Sequence, residues 1–294
     1  MKTKGSKFGG GSLTSLGLPS IFLLCLSFFL AGFFGSALFS QQEMPSNLRP
    51  RMRGLAEKSR IELEALPHGD SGEDFVEAIP FQILSWNPRV LYFPKFATVN
   101  QCQSIINMAR PQLKPSSLAL RQGETAENTQ GIRTSSGMFI SASEDKSGIL
   151  DQIEAKIAKA TMIPRSHGES FNVLRYEIGQ RYHSHYDAFS VAEYGPQKSQ
   201  RVASFLLYLS DVEEGGETMF PFEDGQNMDT NYDFRKCIGL KVKPRKGDGL
   251  LFYSLTPNGT IDPTSLHGSC QVIRGEKWVA TKWIRDQDQT DEED

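Results

Sequence analysis

The sequence predicts a mainly β domain, an antiparallel sandwich or barrel behind an N-terminal helical layer, with one transmembrane helix ahead of it. Three observations carry this expectation. After Pro164, six short segments rich in β-branched and aromatic residues (171–177, 202–209, 239–242, 250–253, 270–273 and 278–284) are separated by Gly, Pro and Asp clusters. Before Pro164, apolar residues recur at helical spacing in two places. Near the start, residues 21–39 read IFLLCLSFFLAGFFGSALF, inside a stretch from Phe8 to Gln42 that carries no charge.

That apolar run comes first in the chain. As a helix it would span roughly 28 Å, close to the hydrocarbon thickness of a bilayer. It exceeds a signal-peptide apolar region of roughly 7–15 residues, which favours a retained signal anchor over cleavage at Gly35-Ser36-Ala37. Lys2, Lys4 and Lys7 precede it, but Arg49, Arg51, Arg53, Lys58 and Arg60 follow, so charge alone leaves its orientation open. The sequon Asn258-Gly259-Thr260 favours a C-terminal domain in the secretory lumen and makes Asn258 a candidate glycosylation site. Besides Cys25 in the span there are Cys102, Cys237 and Cys270, enough for one disulfide and one spare thiol.

The expected organisation is a short cytosolic N-terminus (1–20), the anchor (21–39), a polar, proline-punctuated stem (40–80), one domain (81–285) and an acidic tail (286–294). The formal net charge is −3, with no basic field to recruit nucleic acid. Nothing in the composition sets an oligomeric state.

In the helical layer, Thr98-Val99-Asn100-Gln101 has the form of a capping box, and Pro111 stops that helix. Ile149, Ile153 and Ile157 mark a second helix that ends before Pro164. Both read as packed faces.

The chemistry-bearing residues lie in the β region. Of five histidines, His183 and His185 sit in Tyr176-Glu-Ile-Gly-Gln-Arg-Tyr-His-Ser-His-Tyr-Asp187. On a strand, His185 and Asp187 would share a face and reach one ion. On its own the pair also fits a surface turn. His267, beside a predicted strand, would complete a facial set of two histidines and one carboxylate with cis positions left open, the pattern of non-haem Fe(II) oxygenases. Lys277, ten residues on, lies among apolar and aromatic neighbours, where an ammonium needs a paired anion. A His183/His185 zinc site would leave Asp187, His267 and Lys277 without a shared role, so His183 is read as lining the cleft. His167 is read as structural and His68 as solvated. Gly215-Gly216-Glu217-Thr218 reads as a hairpin turn, with Thr218 where the chain re-enters the core.

Five motifs occur in order: Tyr176-x-x-Gly-x-x-Tyr-x-x-His185-x-Asp187, Gly215-Gly-Glu-Thr218, Lys243-Pro-x-x-Gly247-Asp248, His267-x-x-Cys270 and Lys277-Trp-x-x-Thr-Lys-Trp283. Over roughly residues 82–285 the chain resembles the small membrane-anchored prolyl 4-hydroxylases of plants and green algae. The resemblance implies a double-stranded β-helix (jelly-roll) core and a dioxygenase that uses Fe(II), 2-oxoglutarate as cosubstrate and L-ascorbate as reductant. It makes His185, Asp187 and His267 the iron ligands and Lys277 the anchor of the distal 2-oxoglutarate carboxylate, with Tyr176 and Thr218 bonding the cosubstrate. Tyr182, Arg201 and Trp283 match positions that line a groove for a proline-rich peptide in the polyproline II conformation. Gln271 stands where the family often has proline. The resemblance also implies a Cys237–Cys270 disulfide, leaving Cys102 as a buried free thiol, and placement in the endoplasmic reticulum or Golgi membrane as a single-pass type II protein with a luminal domain. Two other readings are a 2-oxoglutarate oxygenase acting on another side chain and a non-catalytic membrane-anchored binding module.

Overall fold

The computed structural model describes residues 78–289 except 230. The segments expected at 1–20 and 21–39, nearly all of the 40–80 stem and the end of the tail lie outside the described residues. Among those described, no helix is long and apolar enough to cross a membrane. In chain order the strands are β1 (Gln82–Trp86), β2 (Arg89–Phe93), β3 (Lys114–Pro115), β4 (Ser136–Ile140), β5 (Phe171–Tyr176), β6 (Tyr182–His185), β7 (Arg201–Tyr208), β8 (Glu214–Gly215), β9 (Thr218–Phe220), β10 (Leu240–Val242), β11 (Gly249–Tyr253), β12 (His267–Ser269), β13 (Val272–Arg274) and β14 (Lys277–Arg285). The helices are α1 (Val99–Ala109), α2 (Ile149–Thr161) and the single turn α3 (Val191–Tyr194).

The antiparallel pairing builds an eight-stranded sheet, β1-β2-β11-β7-β14-β5-β4-β3, and a four-stranded sheet, β10-β9-β12-β6. Strand alternation decides what each face of the large sheet meets. Trp278, Ala280 and Ile284 of β14 join Phe205 and Leu207 of β7 and Phe171 and Val173 of β5 in one core cluster with α1 and α2. Val279, Tyr208, Leu174 and Tyr176 point the other way and pack with Phe220, Val242 and Val272 of the smaller sheets. The result is a mainly β jelly-roll core with a helical layer on one face.

Both predicted helices form. Thr98 Oγ1 accepts from the Gln101 amide at 3.2 Å and Gln101 Oε1 accepts from the Thr98 amide at 2.9 Å, closing the capping box. Cys102, Ile105, Ile106 and Ala109 face the core from α1. On α2 the buried stripe is Leu150, Ile153 and Ile157, one residue removed from the predicted start at Ile149. The Asp145 carboxylate accepts from the Leu150 amide at 2.9 Å, capping that helix.

Three expectations need correction. The region before Pro164 is not only helical: β1 to β4 lie there, their short runs hidden between prolines and loops. The strand expected at 270–273 starts two residues late, as β13, and the unpredicted β12 precedes it; Cys270 and Gln271 form the break, where the chain crosses from the four-stranded sheet to a two-stranded one with β8. The tail begins on the domain rather than free of it, because Asp286 Oδ1 accepts from the Gln200 amide at 2.8 Å and the Gln289 amide donates to the Ser166 carbonyl at 2.8 Å.

Lys282 lies on the helix side of β14, 4% exposed, and pairs with Glu154 of α2. Glu154 also accepts from Arg165 at 3.1 Å. Removing one member of such a pair strands the other in a dry interior. Glu154→Ala should therefore destabilise the domain by about 3–5 kcal/mol in urea unfolding, and the double variant Glu154→Leu/Lys282→Met should recover most of that loss.

Candidate active site

β6 is the edge strand of the smaller sheet, and its partner there is β12. His185 and His267 are direct cross-strand partners, so their rings emerge together, with centroids 4.4 Å apart. Asp187 does not share the strand with His185. β6 ends at His185, and Asp187 sits two residues beyond in a bend. The bend, rather than strand alternation, carries its carboxylate between the imidazoles: Oδ1 is 3.5 Å from His185 Nε2 and Oδ2 is 3.5 Å from His267 Nε2. The three potential ligand atoms lie within 4.8 Å of one another.

The backbone sets the imidazole tautomers. His185 Nδ1 lies 2.8 Å from the His183 carbonyl, and His267 Nδ1 lies 3.0 Å from the Ser265 carbonyl. A carbonyl only accepts, so each Nδ1 carries the proton and each Nε2 presents a lone pair inward. Burial pushes His267 down to about 4, which keeps it neutral. Burial would raise the Asp187 carboxyl, but His267 and His185 beside it outweigh that and hold it below the usual carboxylate range. Ser204, on the inner face of β7, donates to Asp187 Oδ2 at 2.5 Å and fixes the carboxylate plane.

Two imidazoles and one carboxylate fit a divalent cation, and three ligands from one side leave positions for further ligands. Among the described residues no fourth His, Cys, Asp or Glu joins them, as a closed zinc shell would require. His183 stays outside the cluster, its Nε2 accepting from Arg181 Nε at 3.0 Å. Glu217 also lies close to Cys237 and Cys270, but those sulfurs are tied in a disulfide.

Lys277 begins β14 on its inner face, opposite Tyr176 of β5. It is 2% exposed, and its Nζ donates to Ser269 Oγ at 2.9 Å. Ser269 follows His267 by two residues on β12, which places the ammonium beside the metal cluster. The rings of Tyr176 and Tyr208 lie 5.4 and 5.9 Å away. Among the described residues no carboxylate pairs with Lys277. Burial therefore drives it down to about 7, opposed only by the distant charge of Glu217. Thr218, paired with Ser269 across β9 and β12, accepts from the Tyr208 hydroxyl at 2.8 Å. Its own proton is thereby left for another acceptor.

A groove of about 1330 Å³ opens against His185 and Asp187. Tyr182, Arg201 and Trp283 line it. The Tyr182 ring stacks on His185, with centroids 3.7 Å apart. Arg201 makes a bidentate pair with Glu169, at 2.6 and 2.7 Å, and its guanidinium lies 3.8 Å over the Trp283 ring. Outside the groove, Cys237 and Cys270 are disulfide-bonded and Cys102 is free and buried, its thiol pushed up to about 11. His167 Nδ1 lies 3.0 Å from the Arg285 carbonyl, a structural tie. Asn258 is in an exposed turn, its Oδ1 accepting from Thr260 Oγ1 at 2.8 Å.

Ser204, Tyr208, Ser269 and Glu169 belong to this arrangement but carried no motif. For Ser204, Tyr208 and Ser269 the only signal was polarity at positions that strand alternation turns inward, Ser204 within the apolar β7 above all; Glu169 lies outside any strand and gave none.

Residues 171–285 match the 2OG-Fe(II) oxygenase superfamily. The chain is 67% identical over 274 residues to the protein named Probable prolyl 4-hydroxylase 9 of Arabidopsis thaliana, covering 93% of this chain and 95% of that protein. The chain belongs to the prolyl 4-hydroxylase family. Prolyl 4-hydroxylase 13 of the same plant is 58% identical over 279 residues, covering 94% of this chain and 97% of its own length. Among solved structures, a viral collagen prolyl hydroxylase from Paramecium bursaria Chlorella virus-1, in complex with 2OG, aligns with 67% of this chain and 95% of its own at 26% identity and a TM-score of 0.49.

The geometry sets a graded expectation for metal binding by this prolyl 4-hydroxylase family member. Asp187→Ala or His267→Ala should abolish stoichiometric Mn(II) binding, followed by paramagnetic relaxation of water protons. Ser204→Ala, which loses only the group orienting Asp187, should weaken it by about 10–100-fold.

Proposed function

We propose that this chain hydroxylates peptidyl proline in proline-rich polypeptides at C4, with Fe(II) and 2-oxoglutarate. The observation that carries this reading is the buried ammonium of Lys277, without a carboxylate partner among the described residues, beside a three-ligand cluster that opens on a groove. His185, Asp187 and His267 would hold the iron. Lys277 would bind the distal carboxylate of 2-oxoglutarate, kept in line by Ser269 Oγ. Thr218 would donate its hydroxyl proton to the same carboxylate, because Tyr208 already occupies its oxygen as a donor. Tyr176, across the strand pair from Lys277, would complete that wall.

Bound iron and 2-oxoglutarate supply the oxidising chemistry: decarboxylation to succinate and CO2, coupled to insertion of one oxygen atom from O2 into the proline C–H bond. The chain does not supply an acid or base for this; it fixes geometry and excludes water. Tyr182 and Trp283 border the groove with aromatic surface against which a proline ring would pack, and Arg201, oriented by Glu169, offers guanidinium donors to peptide carbonyls. A substrate already in the polyproline II conformation loses little entropy on entering such a groove. L-ascorbate serves as the reductant that keeps the iron ferrous.

Two measurements test this. The domain incubated with Fe(II), 2-oxoglutarate, ascorbate and poly(L-proline) should add one oxygen per modified proline by mass spectrometry, with matching succinate. Succinate released without oxidised proline would favour an oxygenase of another side chain. Lys277→Ala should raise the 2-oxoglutarate KM on the order of a hundredfold or more, since unpairing a desolvated charge costs about 3–5 kcal/mol. Lys277→Arg should rescue only part of it, its planar fork being larger than the space an ammonium occupies. An unchanged KM in Lys277→Ala would place the cosubstrate elsewhere.

A further inference from the structure

Two consecutive amides of β6 are taken up by loops rather than by strands. On one side the His183 amide donates to the Ile132 carbonyl at 2.9 Å. On the other, the Ser184 amide donates to the Phe234 carbonyl at 3.1 Å, and the Ser184 hydroxyl lies 2.9 Å from the Tyr232 hydroxyl. Residues 231–239, between β9 and β10, are thus docked on the strand that presents His185.

Phe234 is 51% exposed and lines the groove. Its support runs back into the protein through aromatic contacts. Tyr232 packs against Phe234 with centroids 5.2 Å apart, and Phe222 packs against Tyr232 at 5.1 Å, both edge-on. Three residues beyond Phe234, Cys237 is bonded to Cys270, which follows the metal-cluster strand β12 directly. A segment with little regular structure is therefore tethered covalently on one side and by an aromatic ladder on the other. A half-exposed phenylalanine held this firmly at the mouth of an aromatic-lined groove has no packing role that explains its exposure.

We propose that Phe234 is a specificity-determining residue for the peptide, and that the Cys237–Cys270 bond is what positions it. This rests on the functional reading above. Its occupant is the proline-rich substrate, because Phe234 lines the same groove as Tyr182, His185 and Trp283. A proline ring flanking the modified residue would pack on the Phe234 face, so the wall reads the neighbourhood of the target proline rather than the target itself.

The test compares steady-state constants of the full chain with poly(L-proline). Partial burial of the Phe234 ring against a proline, at about 1.4 kcal/mol, corresponds to roughly tenfold in KM. Phe234→Ala should raise the peptide KM about tenfold with kcat changed less than about twofold, and Phe234→Tyr should restore it. Cys237→Ser/Cys270→Ser, which keeps Phe234 but releases its tether, should raise the peptide KM in the same direction while the 2-oxoglutarate KM stays near that of the unaltered chain. An unaltered peptide KM in Phe234→Ala, with the unaltered chain hydroxylating normally, would overturn the inference alone. An unaltered chain that turns over 2-oxoglutarate but oxidises no proline would overturn the functional reading and this inference with it. Should the cysteine variant fail to fold, the Phe234→Ala and Phe234→Tyr pair still decides.

Discussion

Lys277 puts an ammonium group at the first position of the central strand, inside the fold, with a single serine hydroxyl as its hydrogen-bond partner among the described residues. A charge in that position costs several kcal/mol unless an anion joins it, and burial has already brought it down to about 7. Much of the inner wall is arranged around this cost. Tyr176 and Tyr208 turn their rings toward the ammonium, Ser269 holds it in line, and Tyr208 donates to Thr218 so that a second donor is aimed outward. The fold thus maintains a cationic, largely dry pocket that a dicarboxylate completes. Its neighbour is a cluster of opposite character, two imidazoles and a carboxylate, suited to a cation.

These two half-sites are positioned by the same few strands. β12 carries His267 and, two residues on, the serine that orients Lys277. β6 carries His185 and the tyrosine that stacks on it. β7 contributes Ser204 to Asp187 and Tyr208 to Thr218. A shift of one residue in the pairing of β14 with β5 or β7 would turn Lys277 to the helical face and Lys282 to the groove. The Lys282–Glu154 pair opposes such a slip, since it satisfies one lysine only when α2 lies on the correct side. Stability on the outer face and chemistry on the inner face thus depend on one register.

Much of this was legible in the chain. Strands β5, β7, β11 and β14, both helices and the capping box follow from periodicity and punctuation. Lys277 stood out because a charge among apolar neighbours requires a partner, and His267 because, beside a predicted strand, it completes the set begun by His185 and Asp187. Other features were not legible, for physical reasons. Asp187 lies past the end of its strand, so the alternation that pairs it with His185 in the sequence is not what brings it to the cluster. The break at Cys270 and Gln271 is set by which sheet edge is free, a long-range matter. Ser204 and Tyr208 matter through single hydrogen bonds across strands, and the groove wall at Phe234 comes from a loop whose position is decided by a disulfide and aromatic contacts. The apolar run at 21–39 was the plainest signal of all, and it lies outside the described residues.

The claim on which the account turns is that Lys277 is a depleted charge restored by its ligand. Calorimetric titration of 2-oxoglutarate into the Mn(II)-loaded protein, at about pH 8 and in buffers of differing ionisation enthalpy, measures it directly. With the free lysine near 7 and the bound lysine charged, a large fraction of a proton should be taken up per molecule bound, and none in Lys277→Met. Equal heats in all buffers for the unaltered protein would mean that the ammonium is already charged and compensated, and would contradict the account.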